Sequence, residues 1–135
     1  MAKVKRLTDG SYLALPHKLI NHQNFSNLTG NAVKLLCQLG GKFNGRNNGD
    51  LCVTWSVMQK QGWKSQATLF NAISELLHYG FIEKTRQGGR HSATLYGITW
   101  FKIDECKGKL DVKYTTSSSG KWKVEQQKFT RKYAK

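Results

Sequence analysis

The segment TWSVMQKQGWKSQATLFNAISELLHYGFIEKTRQGGRHSATLYGITW, residues 54–100, sets the fold that we expect for this chain. Its best-defined element is a helix that starts after Ser65, a strong N-cap residue, and closes at Gly80, which tolerates the left-handed conformation common at helix ends. A shorter helix begins after Thr54 and stops at Gly62. Two helices joined by a turn of three or four residues that contains glycine are typical of a helix-turn-helix.

Two strands are predicted directly after this pair of helices. They cover residues 81–86 and 91–100, and the tip between them, QGGR, is residues 87–90. Alternate residues of the second strand from Tyr96 onward are apolar, so they share one face at the period of two. The strands therefore form a β-hairpin in the position of a wing.

The residues before position 54 complete the expected core. We expect a short helix over about residues 16–23, because the fixed φ of Pro16 suits a first helical position. Thr29 caps a second helix over residues 30–43, in which apolar residues recur at i, i+4, i+7 and i+11. A loop and a short strand then lead into the helix-turn-helix: NGRNNGD, residues 44–50, and LCV, residues 51–53.

The fold class that these elements predict is α+β: a winged helix-turn-helix with a three-helix core and a β-hairpin wing, plus a basic C-terminal extension. With 135 residues, 39% of them hydrophobic, the chain can bury one modest core. We expect a basic N-terminal arm over residues 1–11, the winged domain over 12–103 and a basic tail over 104–135. We expect residues 117–120, SSSG, to be a linker within that tail.

The charge of the chain indicates its partner. There are 22 lysines and arginines against 8 aspartates and glutamates, a formal net charge of +14, and the excess is present both before and after residue 100. A polyanion favours such a chain, because each neutralised phosphate releases counterions. We therefore expect nucleic acid as the partner, ahead of an acidic protein or an anionic membrane surface.

The location that we expect is the cytoplasm of a bacterial host cell. No apolar run is long enough to span a bilayer, and the N-terminal sequence MAKVKRLTDG lacks the apolar core of a secretory signal. No membrane is therefore included among the expected partners.

The helix after Ser65 is the expected DNA-reading element. In a helix-turn-helix the second helix lies in the major groove, where short polar side chains reach base edges, and Asn and Gln can each make two hydrogen bonds to adenine. Basic residues around it suit phosphates and the minor groove. The predicted DNA contacts are Lys64, Ser65, Gln66, Thr68, Asn71 and Ser74 at the helix, Arg86, Arg90 and His91 in the wing, Arg46 in the loop, and Lys121 and Lys123 in the tail.

These segments resemble the winged helix-turn-helix domains of phage and plasmid replication-type or regulatory proteins. The resemblance is carried by NLTGNAVKLLCQLGGKFNGRNNGDL (27–51), SQATLFNAISELLHYGFIEKTRQGG (65–89) and LYGITW (95–100), and it covers about residues 12–103. It implies DNA binding by the helix at 66–79 and by the wing at 86–91. It does not separate replication from transcription, because initiators and regulators share the domain.

Motifs for catalysis and for metal binding are missing from the sequence. The acidic residues that a metal-dependent nuclease would gather are scattered, and no GxxxxGK[ST] loop is present. Cys37, Cys52 and Cys106 and the four histidines have none of the close spacings of a metal site. We therefore expect no enzyme activity, no cofactor and no bound metal.

The function that we expect is sequence-specific binding of double-stranded DNA in a mobile element, a phage or a plasmid, for transcription regulation or replication initiation. A homodimer is a further prediction, since paired half-sites multiply specificity. The alternative is a winged-helix interaction module that binds and modulates a host or phage protein or a nucleoprotein complex, using aromatic anchors on the helix–wing face. RNA binding is a third option.

Overall fold

Helices form the first part of the chain and a hairpin follows them, in a computed structural model that describes residues 8–133. The predicted α+β class is confirmed for this range, and no helix within it is both long and apolar enough to cross a bilayer. Of the predicted N-terminal arm, residues 1–7 lie outside the described residues. The elements are α1 (His17–Ile20), α2 (Gln23–Ser26), α3 (Gly30–Gly40), α4 (Trp55–Met58), α5 (Gln66–His78), β1 (Ile82–Arg86) and β2 (Leu95–Ile98).

The core is built mainly by α3 and α5, the two longest helices. Each begins at the predicted cap: the Thr29 hydroxyl accepts from the Ala32 N–H at 3.3 Å, and the Ser65 hydroxyl accepts from the Thr68 N–H at 3.4 Å. Their buried leucines meet the inner face of the hairpin, and full burial of one such side chain contributes roughly 1.5–3 kcal/mol. These fully or almost fully buried leucines are Leu35, Leu36, Leu39, Leu69 and Leu76.

Glu75 on α5 fastens α5 to the start of α3. Its carboxylate is 4% exposed and accepts hydrogen bonds from the Thr29 N–H at 2.6 Å and from the Thr29 hydroxyl at 2.9 Å. The amino end of a helix carries N–H groups without intrahelical partners and a positive partial charge, so it suits a carboxylate. A buried carboxylate on α5 thus holds the two core helices together.

The hairpin has the predicted antiparallel pairing but a shorter second strand. Ile82 lies opposite Ile98, Lys84 lies opposite Tyr96, and a bulge follows Lys84. Residues 91–94 are not part of the ladder, because residues 87–94 form a loop that is closed by a Gly89–Ser92 bridge and by a hydrogen bond from the Gly88 N–H to the Thr94 hydroxyl.

Two predicted elements before the hairpin are wrong in detail. The helix predicted over residues 16–23 is two helices, α1 and α2, and the break lies at His22, whose ring Nδ1 accepts from the Asn24 N–H and caps α2. The strand predicted over residues 51–53 is only an isolated bridge, in which Leu51 and Tyr96 exchange backbone hydrogen bonds of 3.3 and 2.8 Å.

Part of the predicted C-terminal tail contacts the domain that precedes it. Trp122 is 6% exposed and meets the ring of His22 edge-on, with 5.6 Å between ring centroids. The carboxamide of the fully buried Asn24 donates to the carbonyls of Trp122 (2.9 Å) and Val124 (2.8 Å) and accepts from the Gln126 N–H (3.0 Å). This part of the predicted tail is therefore packed against the first helices.

Gly80 allows this close approach. Its φ is +80°, as predicted for the residue that closes α5, and a Cβ at this position would lie 2.5 Å from the Lys121 carbonyl oxygen. Any larger residue would meet both the strained backbone conformation and a backbone clash. The C-terminal segment, which we define as residues 121–133, starts from this point and continues along α5.

Candidate nucleic-acid interface

The amino end of α5 is the part of the helix that is open to a ligand. Lys64 and Gln66 are exposed there. The Ser65 hydroxyl is the N-cap and accepts from the Thr68 N–H, and Thr68 is half-buried, so these two predicted contacts are less open than Gln66. Gln66 is therefore the residue of this group with an exposed side chain able to make two hydrogen bonds to a base.

The prediction that Asn71 faces outward to read bases is wrong in this structure. The side chain is 7% exposed. Its Oδ1 accepts from the N–H groups of Lys132 (3.0 Å) and Tyr133 (2.8 Å), and its Nδ2 donates to the Tyr133 carbonyl at 2.8 Å. The carboxamide that would bind adenine is bonded on both sides to the C-terminal segment.

The C-terminal segment covers the outer face of α5 beyond Asn71 as well. The His78 ring Nε2 lies 2.6 Å from the Gln127 carbonyl oxygen, and the Tyr79 hydroxyl accepts from the Phe129 N–H at 2.9 Å. Because these contacts proceed from the carboxyl end of α5 towards Asn71, the segment runs antiparallel to the helix. It brings three exposed cationic side chains beside α5: Lys128, Arg131 and Lys132.

Asn71→Ala tests this arrangement. We expect this variant to lower the free energy of unfolding by about 1 kcal/mol. The loss is small because the backbone groups of Lys132 and Tyr133 can form hydrogen bonds to water instead. We also expect faster hydrogen exchange at the amides of these two residues. Hydrogen exchange with mass spectrometry measures this, with Asn31→Ala, an exposed position on α3, as the control. Unchanged exchange combined with an affinity loss confined to one DNA sequence would restore base reading to Asn71.

The stripe of α5 that stays open is more apolar than predicted. At 100° per residue, Gln66, Phe70, Ile73, Ser74 and Leu77 lie on one side of the helix, next to the stripe that the C-terminal segment covers. Phe70 is 37% exposed. Of this open stripe, Gln66 and Ser74 are predicted contacts and the apolar residues between them are not.

Arg86 is turned towards its own hairpin. Its Nη2 donates to the Ala93 carbonyl at 2.9 Å, and its Nε is buried without a hydrogen-bond partner among the described residues. Arg86 thus uses part of its guanidinium within the hairpin, and its contact with DNA stays a prediction. Arg90 and His91, at the loop of the hairpin, are exposed and available.

The remaining predicted contacts are dispersed. The ammonium of Lys121 lies 3.6 Å from the Glu83 carboxylate, and that of Lys123 lies 5.7 Å from the ring centroid of Trp122. Both follow the carboxyl end of α5, about 20 Å along the helix from Gln66. Arg46 is exposed in the loop at 44–50. The structure does not gather these three residues with the open end of α5.

A groove of about 610 Å³ separates α5 from the hairpin, and we call it the helix–hairpin groove. Phe70 and Ser74 line it from α5, and Lys84 and Tyr96 line it from the paired strands. Burial, and then the neighbouring Tyr133, raise the pKa of Tyr96 above its ordinary value, so its phenol keeps its proton. Both hydrogen-bond donors and aromatic surface therefore face this space.

Two other parts of the chain also line the groove. Trp55 at the start of α4 lines one part, and Lys132 and Tyr133 of the C-terminal segment line another. The rings of Tyr133 and Phe70 meet edge-on with 5.9 Å between centroids. Helix, hairpin and C-terminal segment thus all contribute side chains to one concave surface.

Lys84 is a residue of this surface that the predicted contacts do not include. It is exposed on β1, and its ammonium donates to the Gln87 side chain at 2.9 Å. Its place in the predicted wing, two residues before the predicted contact Arg86, is the signal that could have identified it. Lys132 had no comparable signal, because its position depends on the path of the C-terminal segment.

No family model, curated protein or solved structure matches this chain. The resemblance to winged helix-turn-helix domains of phage and plasmid proteins therefore stays a prediction.

Proposed function

We propose that this chain is a winged helix-turn-helix protein that binds duplex DNA. In this proposal α4 and α5 are the helix-turn-helix, and the hairpin of β1 and β2 is the wing. The setting that we propose is a phage or plasmid in a bacterial cytoplasm, where the protein controls transcription or marks an origin of replication.

The observation that supports this proposal most is the arrangement of exposed cations on both sides of α5. Lys84 and Arg90 belong to the hairpin on one side of α5, and Lys128 and Arg131 belong to the C-terminal segment along its covered face. The whole chain has a formal net charge of +14. Cations in two rows beside a helix suit the two phosphate backbones that border a major groove about 12 Å wide.

Base reading in this proposal is concentrated at the amino end of α5. The C-terminal segment covers the middle of the outer face, whereas Lys64 and Gln66 are exposed before that cover begins. Gln can pair with adenine and Lys with guanine in the major groove. We therefore assign sequence preference to these two side chains and phosphate binding to the hairpin and the C-terminal segment.

The proposal predicts how single cations affect binding. Arg90→Ala and Lys132→Ala should each weaken every duplex to a similar degree and lower the slope of log K against log salt by about 0.9, because each removes one phosphate contact. Gln66→Ala should instead act on the preferred sequence alone, where the loss of one bidentate pair costs roughly 1–3 kcal/mol.

Fluorescence anisotropy across a salt series measures these effects, with a random duplex pool and duplexes from the region upstream of the coding sequence as probes. Lys18→Ala, an exposed position on α1, is the control that should leave the slope unchanged. Absence of binding at physiological salt, or an unchanged slope for both Arg90→Ala and Lys132→Ala, contradicts the proposal.

The apolar side chains of the helix–hairpin groove favour a second candidate function, the binding of a host or phage protein. Phe70, Ile73 and Trp55 could anchor such a partner, since interface energy is concentrated in buried aromatic and apolar contacts. Co-purification of one protein after nuclease treatment, lost in Phe70→Ala, would support this candidate over DNA binding.

A further inference from the structure

The helix–hairpin groove combines aromatic surface with cations, a combination that duplex binding does not need. We propose that the groove binds one unpaired nucleotide, with the base against the exposed ring of Phe70 and the phosphate between Lys84 and Lys132. This inference rests on the proposed function only in taking the ligand to be DNA, and it adds a preference for DNA in which a base has left the stack.

The aromatic residues that line the groove suit the base of a nucleotide. Trp55, Phe70, Tyr96 and Tyr133 border the same space, each from a different part of the chain. Tyr96 is 8% exposed, whereas Phe70 is 37% exposed and Tyr133 is 44% exposed, so the open aromatic surface belongs mainly to α5 and the C-terminal segment. Every base has a flat π-face, so aromatic side chains bind unstacked bases with little regard to sequence. The groove volume of about 610 Å³ lies within the range of roughly 300–1,000 Å³ typical of small-molecule sites.

The positive charge of the residues that line the groove suits the phosphate of a nucleotide. Lys84 and Lys132 border the groove, and none of the described residues that line it is acidic. One of the three donors of the Lys84 ammonium is bonded to Gln87, which leaves two for a ligand. An apolar protein segment would desolvate both lysines without compensation, whereas a phosphate would pair with them. The charge therefore favours a nucleotide as the occupant.

The apolar stripe of α5 explains why the nucleotide is unpaired. In a duplex the phosphates and base edges face the protein, and the faces of the bases are stacked on one another. A base that is turned out of the stack offers its whole flat face to Phe70 and to its apolar neighbours Ile73 and Leu77, which a stacked base does not. Extrusion of a base costs least where the base is already unpaired.

The test compares two duplexes of one sequence that differ by a single unpaired 2-aminopurine in the middle of one strand. We expect anisotropy to show binding of the bulged duplex on the order of tenfold tighter than binding of the perfect duplex. We also expect the 2-aminopurine fluorescence to fall on binding, because stacking on an aromatic ring quenches it. The full chain is used at a salt concentration where both duplexes bind.

Two variants connect this preference to the groove. Phe70→Ala should reduce the tenfold preference to below threefold and restore most of the fluorescence, with binding of the perfect duplex almost unchanged. Tyr12→Ala, at an exposed aromatic residue outside the groove, should retain both properties. Lys84→Gln should weaken the bulged duplex more than the perfect one, and its exposed position on β1 makes it safe for folding.

The outcomes separate this inference from the proposed function. Equal affinity for the two duplexes, or a preference that survives Phe70→Ala and Lys84→Gln, overturns the nucleotide site and leaves duplex binding intact. Failure to bind either duplex overturns both. Capture of an apolar peptide by the groove, lost in Phe70→Ala while no bulge preference exists, would replace the nucleotide with a protein partner.

Discussion

Trp122→Ala should lower the free energy of unfolding by about 3–5 kcal/mol, the usual loss when a buried Trp is truncated. The indole is 6% exposed and packs on His22, and the Trp122 carbonyl accepts from the buried carboxamide of Asn24. Truncation leaves a cavity between the C-terminal segment and the first helices, and it loosens the hydrogen bonds that follow at Val124 and Gln126. Urea unfolding followed by fluorescence and circular dichroism measures the change.

The control for this variant is Val124→Ala. Val124 is two residues away on the same segment and its side chain is 63% exposed, so its truncation should cost less than about 0.5 kcal/mol. A loss below about 1 kcal/mol for Trp122→Ala would contradict the packed C-terminal segment. Asn71 would then be open to solvent, and the prediction that it reads bases would regain its basis.

The helices and the hairpin could be predicted because their signals are local. Ser65 and Gly80 delimit α5 through caps that involve neighbouring backbone groups, and the apolar spacing of α3 follows from its own 11 residues. The hairpin follows from two β-prone segments around a glycine pair. Each of these interactions joins residues that are close in sequence, so a single sequence is enough to find them.

The packing of the C-terminal segment could not be predicted, because the contacts that hold it join residues that are distant in sequence. Asn24 bonds to residues about 100 positions later, and Asn71 bonds to residues about 60 positions later. The local sequence does not show whether the carboxamide of an asparagine is buried or exposed. The basic composition of the last 35 residues favoured a solvated tail, but Trp122 and Phe129 supply the apolar contacts that fix it.

The candidate site also has a part that local sequence predicts and a part that depends on contacts between distant residues. Lys64, Gln66 and Arg90 follow from local structure, a helix start and a hairpin tip, and all three are exposed as expected. Asn71 and Arg86 are predicted DNA contacts from their local sequence, but Asn71 bonds to the distant Tyr133 and Arg86 bonds to Ala93 within its own hairpin. The helix–hairpin groove could be found only from the structure, since five separate parts of the chain line it.

Asn48→Ala is the second large effect that we expect, about 3 kcal/mol or more in the free energy of unfolding, because it leaves several buried polar groups without partners. Asn48 is fully buried. Its Nδ2 donates to the carbonyls of Ile98 (2.9 Å) and Lys102 (2.8 Å), and its Oδ1 accepts from the Ile98 N–H at 2.7 Å. Ile98 ends β2 and has no exposed surface, so water cannot replace these bonds.

Two further variants separate the hydrogen bonds of Asn48 from its volume. Asn48→Asp keeps the shape and the acceptor but replaces the donor with a second oxygen that faces the Ile98 and Lys102 carbonyls. It should therefore destabilise the protein at neutral pH at least as much as Asn48→Ala. Arg46→Ala, in the exposed part of the same loop, should change the free energy of unfolding by less than about 0.5 kcal/mol. If Asn48→Asp proves as stable as the unmodified chain in urea unfolding, the carboxamide does not hold the hairpin to the loop. Other interactions would then have to fix the position of β2, and therefore the shape of the groove that Tyr96 and Lys84 line.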